Sequence, residues 1–324
     1  MIMSDEELYG TMAEYLAPNI EPNPRPIKAV VPKGCTEVKD LAFCKCFNLQ
    51  EVEIPDTVEK INESAFMMCK SLQKVDIPEG VKEIGDFAFH GCMSLKELKF
   101  PKDLNTIGYA ALRGCMNLEN VTMPSNLKKI EDEMFFGCKK LQDIKFPKGV
   151  ESIGAGAFTR CKSLQKVDIP KGVKEIGHGA FESCSSLTSV TIPNGVTKIE
   201  NSTFDSCTSL TGVTFPDSLT TIGEGAFRNC SNLKSITVPD GVKAVGDYAF
   251  EDCAGLTSVT LPSSLEKLGK HAFRGCINLK DIYIGKDSLL AKSFKAPKGI
   301  EVHFTEPVSK QKHTVRQDKG RTGR

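Results

Sequence analysis

Thirteen cysteines in 324 residues are the first chemistry this sequence offers. Thiolates are nucleophiles and soft-metal ligands, and paired thiols form disulfides, so spacing decides which use is open. Eleven fall on one 23-residue period: Cys46, Cys69, Cys92, Cys115, Cys138, Cys161, Cys184, Cys207, Cys230, Cys253 and Cys276. No C-x-x-C pair occurs, and Cys44 and Cys46 have no matching pair downstream. One cysteine per repeat is neither a zinc-ligand spacing nor the spacing of a secreted disulfide scaffold. A stacked thiol ladder could bind a soft metal, but each periodic cysteine lies beside a phenylalanine position. They therefore read as small, reduced core residues with a weak S–H donor. Cys35 occupies a Val position and reads as core, whereas Cys44 occupies a variable, outward one. The histidines (His90, His178, His271, His303 and His313) fall at unrelated places in the period. No His–Cys or His–Asp constellation is implied, so no catalytic residue, metal site or cofactor is expected.

The element that positions these residues is a repeat. Cys161 to Ser183 reads C-x-x-L-x-x-V-x-I-P-x-G-V-x-x-I-G-x-x-A-F-x-x, and nearly the whole chain is built of its copies. Proline recurs at the same period from Pro32 to Pro262. The Phe column runs from Phe43 to Phe273, with Leu112 as the one substitute. Residues 69–90 and 161–182 are almost the same string, which points to duplication of blocks.

Each segment of the unit has a physical reading. L-x-x-V-x-I alternates β-branched residues and predicts a strand with Val and Ile inward. Proline, lacking an N–H, ends it. P-x-G-V-x-x-I-G predicts a turn and a second short extended piece. Gly85, Gly108, Gly154, Gly177, Gly223, Gly246 and Gly269 are expected at positive φ, with Asn62 compatible and Glu131 and Glu200 exceptions. A-F-x-x-C predicts a tight helical or irregular turn whose Phe and Cys plug the coil. One coil cannot bury these side chains alone, so the coils must stack, with strands ~4.8 Å apart. Burial at ~1.5–3 kcal/mol per side chain favours stacking, and a one-residue slip would turn Val and Ile outward. The fold class predicted is an α/β-type repeat solenoid: a right-handed superhelix with a parallel β-sheet on one face and short second strands or irregular turns on the other.

The chain divides into residues 1–26, 27–304 and 305–324. Ser4 to Glu7 offers an N-cap and acids ahead of Leu8, Met12, Tyr15 and Leu16 at helical spacing, so 1–26 is expected to be a short capping helix followed by a Pro-rich segment. Beyond Ile284 the pattern degrades: Gly285 replaces the proline and Ser288 replaces Val or Leu. Gly299 to Phe304 then alternates as a closing strand. The last segment has no apolar period and reads as disordered. It holds Lys310, Lys312, Arg316, Lys319, Arg321 and Arg324 against Glu306 and Asp318, whereas the whole chain has a formal charge of only +1. Its alternatives are a solvated tail or an anchor on an acidic partner or RNA. The amino terminus has no basic-then-apolar pattern, and no stretch reaches the ~18 apolar residues of a membrane span. If Met1 is the true start, a cytoplasmic location follows, without membrane insertion.

These units, as in Cys69–Gly91 and Cys161–Ser183, resemble the 23-residue repeat of BspA-like leucine-rich repeat proteins over residues 27–304. The resemblance implies a binding or adhesion role, a protein partner and typically a cell-surface location. It supplies no catalytic residues.

With the inward positions committed to packing, function is expected on the outward strand positions. In the first half these are mostly charged: Glu51 and Glu53, Lys74 and Asp76, Glu97 and Lys99, Asp143 and Lys145, Lys166 and Asp168. Asn120 and Thr122 are uncharged. In the second half small hydroxyls take over: Ser189 and Thr191, Gly212 and Thr214, Ser235 and Thr237, Ser258 and Thr260. The charged half would supply electrostatic complementarity and the hydroxyl half adaptable hydrogen bonding. The structural alternative is that stacked charges and threonines simply favour the sheet. A second functional class is an intracellular assembly component that uses the solenoid as a rigid body and the tail as anchor. If the tail is that anchor, deleting residues 305–324 abolishes salt-sensitive retention on immobilised RNA; unchanged retention removes the role.

Overall fold

The structure, a computed structural model, describes residues 27–292, 294 and 299–305. The expected capping helix in 1–26 and the basic residues from Lys310 onward lie outside the described residues. One column of short strands comprises Ile27–Val30, Leu49–Glu53, Lys74–Val75, Glu97–Lys99, Asn120–Thr122, Asp143–Ile144, Lys166–Val167, Ser189–Thr191, Gly212–Thr214, Ser235–Thr237, Ser258–Leu261, Asp281–Gly285 and Glu301–Thr305. A second column of two-residue strands runs from Glu37–Val38 to Lys267–Leu268. All recorded strand pairs are parallel, and along the repeats each residue faces its copy one period on, as in Val52↔Val75 and Val167↔Val190. This is the stacked solenoid that the period requires. Among the described residues the sole helix is one turn of 3₁₀ at Leu290–Lys292, so the helical share of an α/β label is missing.

The core is one continuous column. Phe66, Phe89, Phe135, Phe158, Phe181, Phe204, Phe227 and Phe250 are fully buried, and most Leu, Val and Ile of the strand units are buried with them. Successive phenylalanine rings stack nearly parallel, with centroids 5.1 Å apart at Phe43–Phe66 and 5.6 Å apart at Phe250–Phe273. Leu112 splits the stack between Phe89 and Phe135. The turn after the strand proline closes with the Val58 N–H donating to the Pro55 carbonyl at 3.0 Å, and most later coils repeat it. Where Ser288 replaces the buried aliphatic residue, its hydroxyl donates to Leu265 O at 3.2 Å, satisfying a group with no exposure.

The A-F-x-x-C segment is an irregular turn with two left-handed residues per coil. One lies two positions before the phenylalanine (Leu41, Ser64, Phe87 and their copies to His271), the other just before the cysteine (Lys45, Met68, Gly91 to Gly275). Most are not glycine, at a cost of roughly 1–3 kcal/mol each. The offset comes from neighbouring coils: Ser64 N–H donates to Asp86 O at 2.8 Å and Met68 N–H to His90 O at 2.6 Å, and this recurs as far as Tyr248 and Asp252.

The glycine expectation needs correction. Gly85, Gly108, Gly154, Gly177, Gly223, Gly246 and Gly269 do not have positive φ, nor does Asn62. These glycines are required by closeness, not by conformation. A Cβ on Gly177 would lie 2.5 Å from the Ala155 backbone nitrogen of the preceding coil. Where glutamate occupies this column, it pairs with the lysine two positions earlier: Lys129–Glu131 at 2.5 Å and Lys198–Glu200 at 2.7 Å. Gly212, by contrast, meets nothing within 4 Å of an added Cβ. Gly177→Ala should therefore lower stability by roughly 1–3 kcal/mol, while Gly212→Ser should be neutral or slightly stabilising, both read as denaturant midpoints.

Candidate functional site

The cysteines are structural in geometry. From Cys69 to Cys276 each periodic Sγ donates to the carbonyl of the Phe-column residue in the preceding coil, at 2.9 Å for Cys69 on Phe43 and 3.1–3.3 Å for Cys161 on Phe135 and Cys138 on Leu112. All are free thiols, buried from Cys69 onward, while Cys35, Cys44 and Cys46 are half-buried. Burial pushes the Cys46 and Cys276 thiols up to about 11 and Cys115 up to about 12; the remaining periodic thiols rise as well. Burial also raises Cys44, partly opposed by Lys45. Such thiols are neutral at physiological pH and are poor nucleophiles or metal ligands.

The buried acid on the turn side is likewise committed. Asp205, almost without exposure, accepts from Arg228 Nη2 at 2.5 Å and Nε at 3.0 Å, from Ser206 Oγ at 2.9 Å and from Asn229 Nδ2 at 3.2 Å. Burial, with Arg113 nearby, lowers the His90 pKa, and its ring packs edge-on to Phe87.

The outward strand positions lie along one column of parallel strands, whose ladder is broken into four sheets, between Lys74–Val75 and Glu97–Lys99, between Asn120–Thr122 and Asp143–Ile144, and between Gly212–Thr214 and Ser235–Thr237. Glu51 opposes Lys74, Glu97 opposes Asn120, Asp143 opposes Lys166, Thr191 opposes Thr214, and Thr237 opposes Thr260. Glu53, Asp76, Lys99, Asp168, Ser189 and Ser235 are exposed, as is Lys145, while Ser258 and Thr260 are half-buried. Much of the charge is neutralised within the face. Lys28 reaches Glu53 at 2.6 Å, Lys74 reaches Asp76 at 2.8 Å and Lys166 reaches Asp168 at 2.9 Å. The hydrogen bond to Asp76 raises the Lys74 pKa. Such exposed pairs contribute little stability. Among the described residues, Glu97, Asp143 and Lys145 find no salt-bridge partner.

The hydroxyl half divides into two kinds of residue. Just beside the face, Thr188, Thr211 and Thr257 each donate to a carbonyl of the preceding coil at 3.0–3.3 Å, and Ser185, Thr208 and Ser231 do the same at 3.3–3.4 Å. On the face, Ser189, Thr191, Thr214, Ser235, Thr237, Ser258 and Thr260 make no side-chain hydrogen bond among the described residues. Their donors and acceptors remain available to a ligand.

One grouping escaped the sequence reasoning. The closing strand pairs with Asp281–Gly285 before a full period has elapsed, setting Asp281 opposite Glu301 and Tyr283 opposite His303. His303 Nε2 lies 2.8 Å from Asp281 Oδ1, so a His–Asp pair exists where the period implied none. The signal was present: aligning inward Ile282 with inward Val302 on the two strand patterns brings these side chains together.

Comparison with known proteins agrees with this geometry. The BspA type leucine rich repeat region profile matches residues 27–142, 107–233 and 197–310, in six copies. A leucine-rich repeat protein from Bacteroides ovatus is similar at 29% identity over 86% of this chain and 84% of its own, with a TM-score of 0.56. A leucine rich cell surface protein from Faecalibacterium prausnitzii is 27% identical over 79% and 87%, with a TM-score of 0.49. The pneumococcal vaccine antigen PcpA is 21% identical over 80% and 72%, with a TM-score of 0.54, a likeness of fold alone. No curated protein matches the chain. Among the described residues no helix is long and apolar enough to cross a membrane.

The raised thiol pKa values set the sign of a pH effect. A buried thiol keeps its proton in the folded chain above the unfolded pKa of ~8.5, so the folded state binds more protons there. Its contribution is intact below that pH and is lost as pH rises toward the folded values. Each buried thiol should remove up to about 1.4 kcal/mol per pH unit in that window. Stability should fall steeply between pH ~8.5 and pH ~11, and Cys138→Ala with Cys161→Ala should flatten the slope. At neutral pH a thiol reagent should spare Cys69 to Cys276 until denaturant is added; rapid native labelling of those residues would contradict the packing.

Proposed function

The chain belongs to the BspA-type leucine-rich repeat family, and from that premise we propose that it is a non-catalytic scaffold that binds a protein partner through its strand face. Such repeat proteins are commonly surface or adhesion scaffolds, and a cell-surface setting suits this reading. The observation that carries the proposal is the unspent hydrogen bonding of Ser189, Thr191, Thr214, Ser235, Thr237, Ser258 and Thr260, set beside hydroxyls whose bonds go to backbone. The sheet gives these groups fixed spacing, so docking costs little ordering entropy. Glu51, Glu53, Lys74, Asp76, Glu97, Lys99, Asp143, Lys145, Lys166 and Asp168 extend the face with charges. Because several are already paired with one another, their main role is to steer and orient a partner rather than to supply affinity. The buried acid and the periodic thiols have no place in this function.

A photo-reactive residue at Thr214 should give a protein adduct in the native environment, and one at exposed Lys267 on the second strand column should not. Thr191→Arg with Thr237→Arg should abolish the adduct with an unchanged unfolding midpoint. Charge reversal at Lys74, Lys99, Lys145 and Lys166 should slow its formation. An adduct only at Lys267, or one indifferent to the arginines, would move the binding site off this face.

A further inference from the structure

We propose that Asp281, Glu301 and His303 form a binding site for a divalent transition-metal ion of the zinc type, at the carboxy-terminal end of the strand face. One ligand atom from each of the three lies within 4.8 Å of the other two. His303 Nε2 is 2.8 Å from Asp281 Oδ1 and 3.9 Å from Glu301 Oε2. Atoms bonded to one ion at ~2.0–2.2 Å stand roughly 3–4 Å apart, so small side-chain rotations bring all three onto a shared centre.

The backbone preorganises the set. Parallel pairing fixes Asp281 directly opposite Glu301, and His303 follows on the same face. The Tyr283 ring stacks on the His303 ring at 4.8 Å and 21°, which sets the imidazole plane with Nε2 toward the carboxylates. A neighbour that fixes a ligating histidine's ring orientation strengthens the metal site. Two carboxylates with a neutral imidazole balance the charge of a divalent ion. The nitrogen donor favours zinc-like ions over magnesium or calcium, and the lack of a thiolate disfavours copper(I).

The place of the cluster gives the ion a use. Asp281 pairs with Ser258 and Tyr283 with Thr260, so the site continues the same two outward columns as the free hydroxyls. Three protein ligands leave coordination positions open on the exposed side, where Glu301 is 81% exposed. A partner's carboxylate or hydroxyl can complete the sphere, and the ion would then act as a bridge across the interface. Metal binding itself does not depend on the docking role proposed above, and either can fail alone.

Cobalt(II) titrated into the full chain, with its accessible thiols alkylated, reads the site by its visible absorption and by calorimetry. One equivalent should bind, be displaced by zinc(II) and be unaffected by equimolar magnesium or calcium. Loss of outer-shell partners alone weakens metal sites by about 10–100-fold, so H303Q and D281N should each weaken cobalt binding by at least about tenfold. E301Q removes a solvent-exposed carboxylate and serves as the variant least able to disturb folding; it too should weaken binding. No uptake by the wild-type chain, or uptake unchanged in all three variants, overturns the assignment and leaves a cross-strand His–Asp pair only.

Discussion

Every coil depends on a partner one period away to satisfy its backbone. In the turn segment, N–H groups of one coil donate forward to carbonyls of the next, as from Phe66 to Ala88, while in the second strand column they donate backward, as from Gly85 to Ile61. The Phe66 carbonyl accepts from its own coil's Cys69 N–H and from Cys92 Sγ of the next coil. A buried carbonyl or N–H left without such a partner would be costly, so coils of different cross-section cannot be mixed. That constraint, more than any single hydrophobic contact, explains why the period is held so closely.

The cysteine and phenylalanine columns follow from it. Cysteine is small enough to fit against the ring of the same coil and still donates weakly to the coil before. Aromatic rings repeat at just over ~5 Å because the backbone ladder sets the rise, and the rings fill the space it leaves. The left-handed residues show the same dependence from the other side. Phe87 and Tyr248 tolerate an unfavourable φ because the turn they sit in is held by the adjoining coil, where Phe87 N–H donates to Tyr109 O and Tyr248 N–H to Lys270 O.

A scaffold so fully committed inward leaves function to what the packing does not use. On the turn side even the buried Asp205 is saturated by Arg228, Ser206 and Asn229. On the strand face the charged half largely pairs within itself, whereas the last hydroxyl strands, Ser235–Thr237 and Ser258–Leu261, share one sheet with Asp281, Tyr283, Glu301 and His303. The end of the array therefore differs chemically from its middle, although both belong to one column of parallel strands.

The repeat made most of the fold legible before any coordinates. A constant offset of one period places each side chain beside its own copy, so inward Val, Ile, Phe and Cys and outward Lys, Asp and Thr could be assigned by column alone. What could not be assigned depends on the coil next door or on a change of offset. Gly177 and its copies were read for their torsion angles, but they are glycine because the preceding backbone stands too close for a Cβ. The left-handed positions went unseen because their residue types vary from Leu to Glu to His, and their support is a hydrogen bond donated to a carbonyl of the next coil. The His303–Asp281 contact arises where the offset shortens at the closing strand. The sequence by itself thus determined the coil, its stacking and its inward and outward columns, because periodicity is a local property repeated. Only the tertiary structure decided close backbone approach, left-handed turns and the carboxylate–imidazole cluster, because each is set by distances between coils that no single repeat encodes.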